Sequence, residues 1–107
     1  MKIEIRQHLK SSSKNLHDYI QRRLQFSLGR FGDKIRSVTV RVMDLNGPKG
    51  GLDKKCQVMA KLNSKTLVME GVDQDFYVIA DVTIERLQRK IAREIDKMNS
   101  YRLGFNS

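Results

Sequence analysis

A single cysteine, Cys56, leaves this chain of 107 residues unable to close an internal disulfide, and it fits a reducing compartment. Tryptophan is absent, proline occurs once and histidine twice. His8 and His17 have no cysteine or acidic cluster at metal-ligand spacing around them, so no metal or other cofactor is expected. No apolar run approaches the roughly 20 residues that a membrane-spanning helix needs. Met1-Lys2 leads straight into the charged, alternating Ile3-Glu4-Ile5-Arg6, which is not the pattern of a secretory leader, so a cytoplasmic location is expected. Acidic residues are the other scarcity. Against 21 Lys and Arg stand 12 Asp and Glu, a net charge of +9. An excess of that size in one small domain calls for a polyanionic partner: nucleic acid, an anionic membrane surface or an acidic protein.

Signatures of catalysis are as scarce. Cys56 alternates with core positions and reads as a buried structural thiol rather than a nucleophile. Gly50-Gly51 lacks the Gly-Lys-Ser/Thr of a phosphate-binding loop, and no helix follows it. Asp73 and Asp75 are accounted for by a helix cap. The expectation is a protein without enzymatic activity and without a small-molecule substrate.

What the chain does have is clear periodicity. Phe76, Ala80, Ile84, Leu87, Ile91, Ile95 and Met98 recur at steps of four and three, the spacing of one buried helix face over Phe76 to Met98. Earlier, Lys2 to Arg6 alternates as a short strand. A first helix follows, opened by one of Ser11, Ser12 and Ser13, with Leu16, Ile20, Leu24, Ser27 and Phe31 inward and Gly32 as a left-handed stop. Ile35 to Asp44, Lys55 to Asn63 and Thr66 to Val72 alternate as three further strands, the last two joined by a hairpin at Asn63-Ser64-Lys65. Between Leu45 and Asp53 lie three glycines and the proline, an exposed loop. Each strand has one apolar face, so both helices should cover the same side. The fold expected is α+β: a β-α-β-β-β-α two-layer sandwich with a four-stranded sheet and two helices on one face. Arg41, Lys61, Met43, Met59 and Val68 are then candidates for the open face.

The long helix carries a second stripe, Arg86, Arg89, Lys90, Arg93 and Lys97, on one arc without an acidic interruption. A lone stripe of this kind is ordinarily a solvated face with i,i+4 pairs such as Glu85 with Arg89. The first helix adds Arg22, Arg23 and Arg30, and these eight residues form the candidate RNA-binding set. Tyr19 and Phe26 flank Arg23 and Arg30. They either stack on bases or merely border the core.

The pattern resembles the ribosome hibernation-promoting factor and ribosome-associated inhibitor family of bacteria. The resemblance rests on Asp75-Phe76-Tyr77, Val78-Ile79-Ala80-Asp81 and Glu85-Arg86-Leu87-Gln88-Arg89-Lys90-Ile91, and on Leu16-His17-Asp18-Tyr19-Ile20 through Leu28-Gly29-Arg30-Phe31 and Ile35. It covers residues 1–98 as one domain and leaves 99–107 as a short C-terminal tail, without the dimerisation domain of the family's long form. It implies a fold similar to the double-stranded-RNA-binding domain. It also implies binding to ribosomal RNA of the small ribosomal subunit, in the channel of messenger RNA and transfer RNA, during stress or stationary phase. Arg23, Arg86, Arg89, Lys90 and Arg93 would then touch phosphates. Where the family has a glycine-containing turn after its first strand, this chain has Gln7-His8-Leu9-Lys10 and three serines. Two other readings stand beside this one: a double-stranded-RNA module not tied to the ribosome, and a self-associating module using Met43, Met59 and Val68. Oligomeric state is not legible in the residues.

Overall fold

Val38, Val40 and Val42 show how this sequence makes its sheet. Their β-branched side chains suit the pleat and have no exposed surface, while Thr39, Arg41 and Met43 between them turn the other way. The computed structural model of the protein describes residues 1–45 and 53–102, the side chains of 100–102 excepted. Strand β1 (Lys2–His8) is followed by helix α1 (Lys14–Leu28), strands β2 (Ile35–Asp44), β3 (Lys54–Leu62) and β4 (Thr66–Asp73), and helix α2 (Phe76–Arg102). The sheet order is β1-β2-β3-β4, with β1 parallel to β2 and the rest antiparallel. Both helices pack on one face, and the core lies between the layers.

Local chemistry sets the helix boundaries. Ser13 caps α1, its Oγ accepting from the Leu16 amide at 3.2 Å. The Gln7 side chain donates to the Ser13 carbonyl at 2.8 Å and accepts from the Ser13 amide at 2.9 Å. One primary amide thereby ties the end of β1 to the start of α1. Asp75 caps α2, accepting from the amides of Tyr77 at 2.7 Å and Val78 at 3.4 Å.

Two helix ends differ from the sequence reading. Gly32 is not a left-handed stop: its φ is −54°. Helix α1 ends at Leu28 and tightens into a 3-10 turn over Gly29–Phe31. There the Gly32 amide donates to the Gly29 carbonyl at 3.1 Å, serving an acceptor at the helix end without a left-handed residue. Leu28 is fully buried and Phe31 only half so. Helix α2 continues past Met98 to Arg102, since Asn99, Ser100 and Tyr101 include neither a glycine nor a proline to stop it.

The loop expected over Leu45 to Asp53 lies, from 46 to 52, outside the described residues. Its ends are joined. The Leu45 amide donates to the Asp53 carbonyl at 2.7 Å, and the Lys54 ammonium reaches Asp44 at 2.9 Å and Asp53 at 3.3 Å. Those bonds, Asp44 first, raise the Lys54 pKa above its ordinary value. Gly71 in β4 lets α2 approach closely: a Cβ there would sit 2.7 Å from Ile79 Cδ1, the end of a side chain that would have to turn away. Cys56 is fully enclosed, and burial pushes its thiol up to about 12, against a smaller opposing effect of the Thr83 hydroxyl. At neutral pH it is a protonated core residue.

Candidate nucleic-acid interface

Arg86, Arg89, Lys90, Arg93 and Lys97 are all exposed on α2. Eleven helical steps separate the first from the last, about 17 Å at 1.5 Å per residue. Arg89 is bonded to Glu85 at 2.6 Å, and Lys97 lies 3.7 Å from Glu94. Arg86, Lys90 and Arg93 have no ion pair among the described residues, although Lys90 acts through space on Glu94. Glu94 is itself occupied by Lys65 of the β3–β4 turn at 3.0 Å. That hydrogen bond, more than any other influence, holds its carboxyl below the usual range. The contact fixes which flank of α2 lies over the β4 side of the sheet.

The opposite flank meets α1. Tyr19 Oη donates to both carboxylate oxygens of Asp81 at 2.7 Å, and Arg23 Nε donates to Asp81 Oδ1 at 3.0 Å. The Tyr19 and Tyr77 rings stand edge to face with centroids 5.0 Å apart. The Asp81 carboxylate raises the Tyr19 pKa, chiefly through the hydrogen bond. The contacts climb both helices together, from Tyr19–Tyr77 to Arg23–Asp81, so the helices run parallel. At 100° per residue, the centre of the cationic arc lies roughly 150° round α2 from the side that Tyr77 and Asp81 turn to α1. The structure therefore brings Arg86, Arg89, Lys90, Arg93 and Lys97 together and does not bring Arg23 to them. Arg23 is half-buried in a staple between the helices. Arg30 lies 4.5 Å over the Phe31 ring, exposed at its other side, and Arg22 is exposed on α1 without an ion pair among the described residues. Sequence reasoning had no access to the Asp81 staple: its partners are 58 and 62 positions away, and only the relative phase of two helices brings them together.

The two aromatics noted beside Arg23 separate cleanly. Tyr19 belongs to the staple. Phe26 is 83% exposed, between Arg22 and Arg30 one turn to either side. The open sheet face also differs from a simple apolar patch. Val68 is exposed there, but Met43 and Met59 are half-buried, and Lys2, Arg6, Arg41, Lys55 and Lys61 share the surface with two carboxylates, Glu4 and Glu70. Two copies pressed together on it would oppose like charges. Among the described residues no group of histidine, cysteine or acidic side chains could hold a metal ion, and no helix is long and apolar enough to cross a membrane.

The architecture and its cationic surfaces define a small two-layer α+β module complementary to polyanions. The chain belongs to the family described as Sigma 54 modulation protein / S30EA ribosomal protein, whose profile matches residues 3–99. The fold is shared with a ribosomal subunit interface protein from Coxiella burnetii, at a TM-score of 0.72 and 17% identity over 90% of this chain and 99% of that one. It is shared too with the N-terminal domain of Protein Y from Thermus thermophilus, at 0.67 and 21% over 87% and 98%. No curated protein sequence matches the chain. Family membership agrees with the resemblance read from Asp75-Phe76-Tyr77 and the residues after it, and makes this a member of a ribosome-associated family.

Proposed function

We propose that the protein is a non-enzymatic ribosome-binding inhibitor of translation, acting in the cytoplasm under stress or in stationary phase. It binds ribosomal RNA of the small subunit and occupies the channel used by messenger RNA and transfer RNA. The observation that carries this reading is the arc on α2, where Arg86, Lys90 and Arg93 stand exposed without an ion pair among the described residues in a chain of a ribosome-associated family. Helices packed on a sheet hold that arc rigid, so little ordering entropy opposes its docking on phosphates. Arg22 and Arg30 extend the contact along α1, and Phe26 offers an exposed ring to an unpaired base between them.

The test is co-sedimentation with small subunits across a salt series, comparing the wild type with Arg86→Glu/Arg93→Glu. Both residues are exposed, so the variant should fold. Two lost phosphate contacts should lower the slope of log affinity against log salt by roughly two. Equal binding and an equal slope would remove the arc from the interface. Plain duplex RNA in the same assay settles the other RNA reading: affinity equal to that for the subunit would mean a general duplex-binding module.

A further inference from the structure

The strand register lines up a second cationic surface. On the face away from the helices, Lys2, Ser37, Lys61 and Thr66 form one row across the four strands, and Glu4, Thr39, Met59 and Val68 the next. Arg6, Arg41, Gln57 and Glu70 form the third. Arg6 and Arg41 are directly paired on neighbouring parallel strands, about 4.8 Å apart. Like charges placed opposite each other weaken a sheet. Glu4 relieves this in part by bonding Arg6, but Lys61 has no ion-pair partner among the described residues, and Lys2 and Arg41 act on Glu4 only through space. These side chains rim a concavity of about 340 Å³ whose floor includes Thr39 and Met59. The rows of Lys2 and Arg6 are about 13 Å apart along the strands.

We propose that this concave sheet face is a second phosphate-binding surface, which takes a single-stranded segment of RNA while the α2 arc holds another on the far side of the protein. The inference rests on the ribosomal reading for the identity of that other segment, but its geometry is independent of it. Charge complementarity selects a polyanion: three unpaired or through-space cations surround a groove whose own carboxylate is already taken by Arg6. RNA is selected over an acidic peptide by what lies between the cations. The Ser37 and Thr39 hydroxyls can donate to and accept from a ribose 2′-hydroxyl, and Met59 and Val68 offer apolar contact to bases.

The probe is a short fluorescent oligouridylate, titrated against the full chain over a salt series. The expected result for Arg41→Gln/Lys61→Gln is a salt slope lower by about 1.4, at about 0.7 per phosphate contact for a single strand. Arg86→Glu/Arg93→Glu should keep at least half of the oligouridylate slope while its salt slope on the small subunit falls by roughly two. An unchanged slope in Arg41→Gln/Lys61→Gln overturns the proposal, as does competition by polyglutamate equal to that by unlabelled oligouridylate. Arg41 is half-buried, so Lys2→Gln/Lys61→Gln serves as the second variant should the first not fold, and it is judged by the same slope. The ribosomal reading fails separately, if Arg86→Glu/Arg93→Glu sediments with small subunits as the wild type does.

Discussion

Asp81→Asn should weaken the protein and yet strengthen its attraction to polyanions. Asp81 receives the Tyr19 hydroxyl at 2.7 Å and Arg23 Nε at 3.0 Å. The asparagine keeps the shape and one acceptor oxygen but gives up the charge. A hydrogen bond to a charged group is worth about 1.5–3 kcal/mol net when buried. Here the Arg23 and Asp81 side chains are 31% and 38% exposed, so solvent screens much of that. The expected loss is about 1–2 kcal/mol, or about 5–10 °C in a domain of this length. A double-mutant cycle with Arg23→Gln isolates the pair: thermal melts of the four proteins should give a coupling of about 1 kcal/mol. Removing the carboxylate also frees the Arg23 guanidinium and adds one net positive charge. Affinity for small subunits should rise, with a salt slope steeper by roughly one. Melting identical to the wild type, or zero coupling with Arg23, would refute the staple. Weaker binding by a folded Asp81→Asn would refute the idea that Asp81 holds Arg23 back from phosphates.

Two further expectations follow from packing and titration. Gly71→Ala brings a methyl to 2.7 Å from Ile79 Cδ1. Overpacking of about 1–3 kcal/mol outweighs the 0.5–1 kcal/mol that alanine gains over glycine in a strand, for a net loss of about 1 kcal/mol by denaturant melts. Ile79→Val, which deletes Cδ1, should make the same Gly71→Ala change nearly neutral. Tyr19 is bonded to a carboxylate that disfavours its phenolate, so its folded pKa lies above the ordinary 10.0. A raised pKa contributes stability that is fully present below the unfolded value and is lost as pH rises through the folded one. An alkaline absorbance titration should show one phenol ionising late, coincident with loosening of the helices, and Tyr19→Phe should abolish that late step. A late phenol that persists in Tyr19→Phe would place the shift elsewhere.

Most of the fold was legible because its signals are local. Alternation in Ile35 to Asp44 states both the strand and its buried face, and the three-four spacing from Phe76 onward states the inner side of α2. The cationic arc was legible for the same reason, since five residues on one helix need no partner to define their direction. What could not be read depends on how separate elements meet. Arg23 belongs by sequence to a basic set, but the azimuth of α1 against α2 delivers it to Asp81. Tyr19 and Phe26, seven apart and within about 20° of each other round α1, diverge because α2 sets Asp81 and Tyr77 against the first and leaves the second exposed. The strand rows that align Arg6 with Arg41 require the parallel register of β1, which alternation alone does not supply.

The parallel course of the two helices has a consequence for how the molecule meets a partner. Asp73, Asp75 and Asp81 gather where α2 begins, while in its later turns the five cations from Arg86 to Lys97 outnumber Glu94 and Asp96, so charge is graded along the common helix direction. A polyanion at a distance therefore exerts a torque as well as a pull, turning the later turns of α2 toward itself before any side chain is in contact. Orientation is selected during the diffusional approach, which raises the fraction of collisions that arrive correctly aligned. Raising ionic strength shortens the reach of that torque along with the attraction.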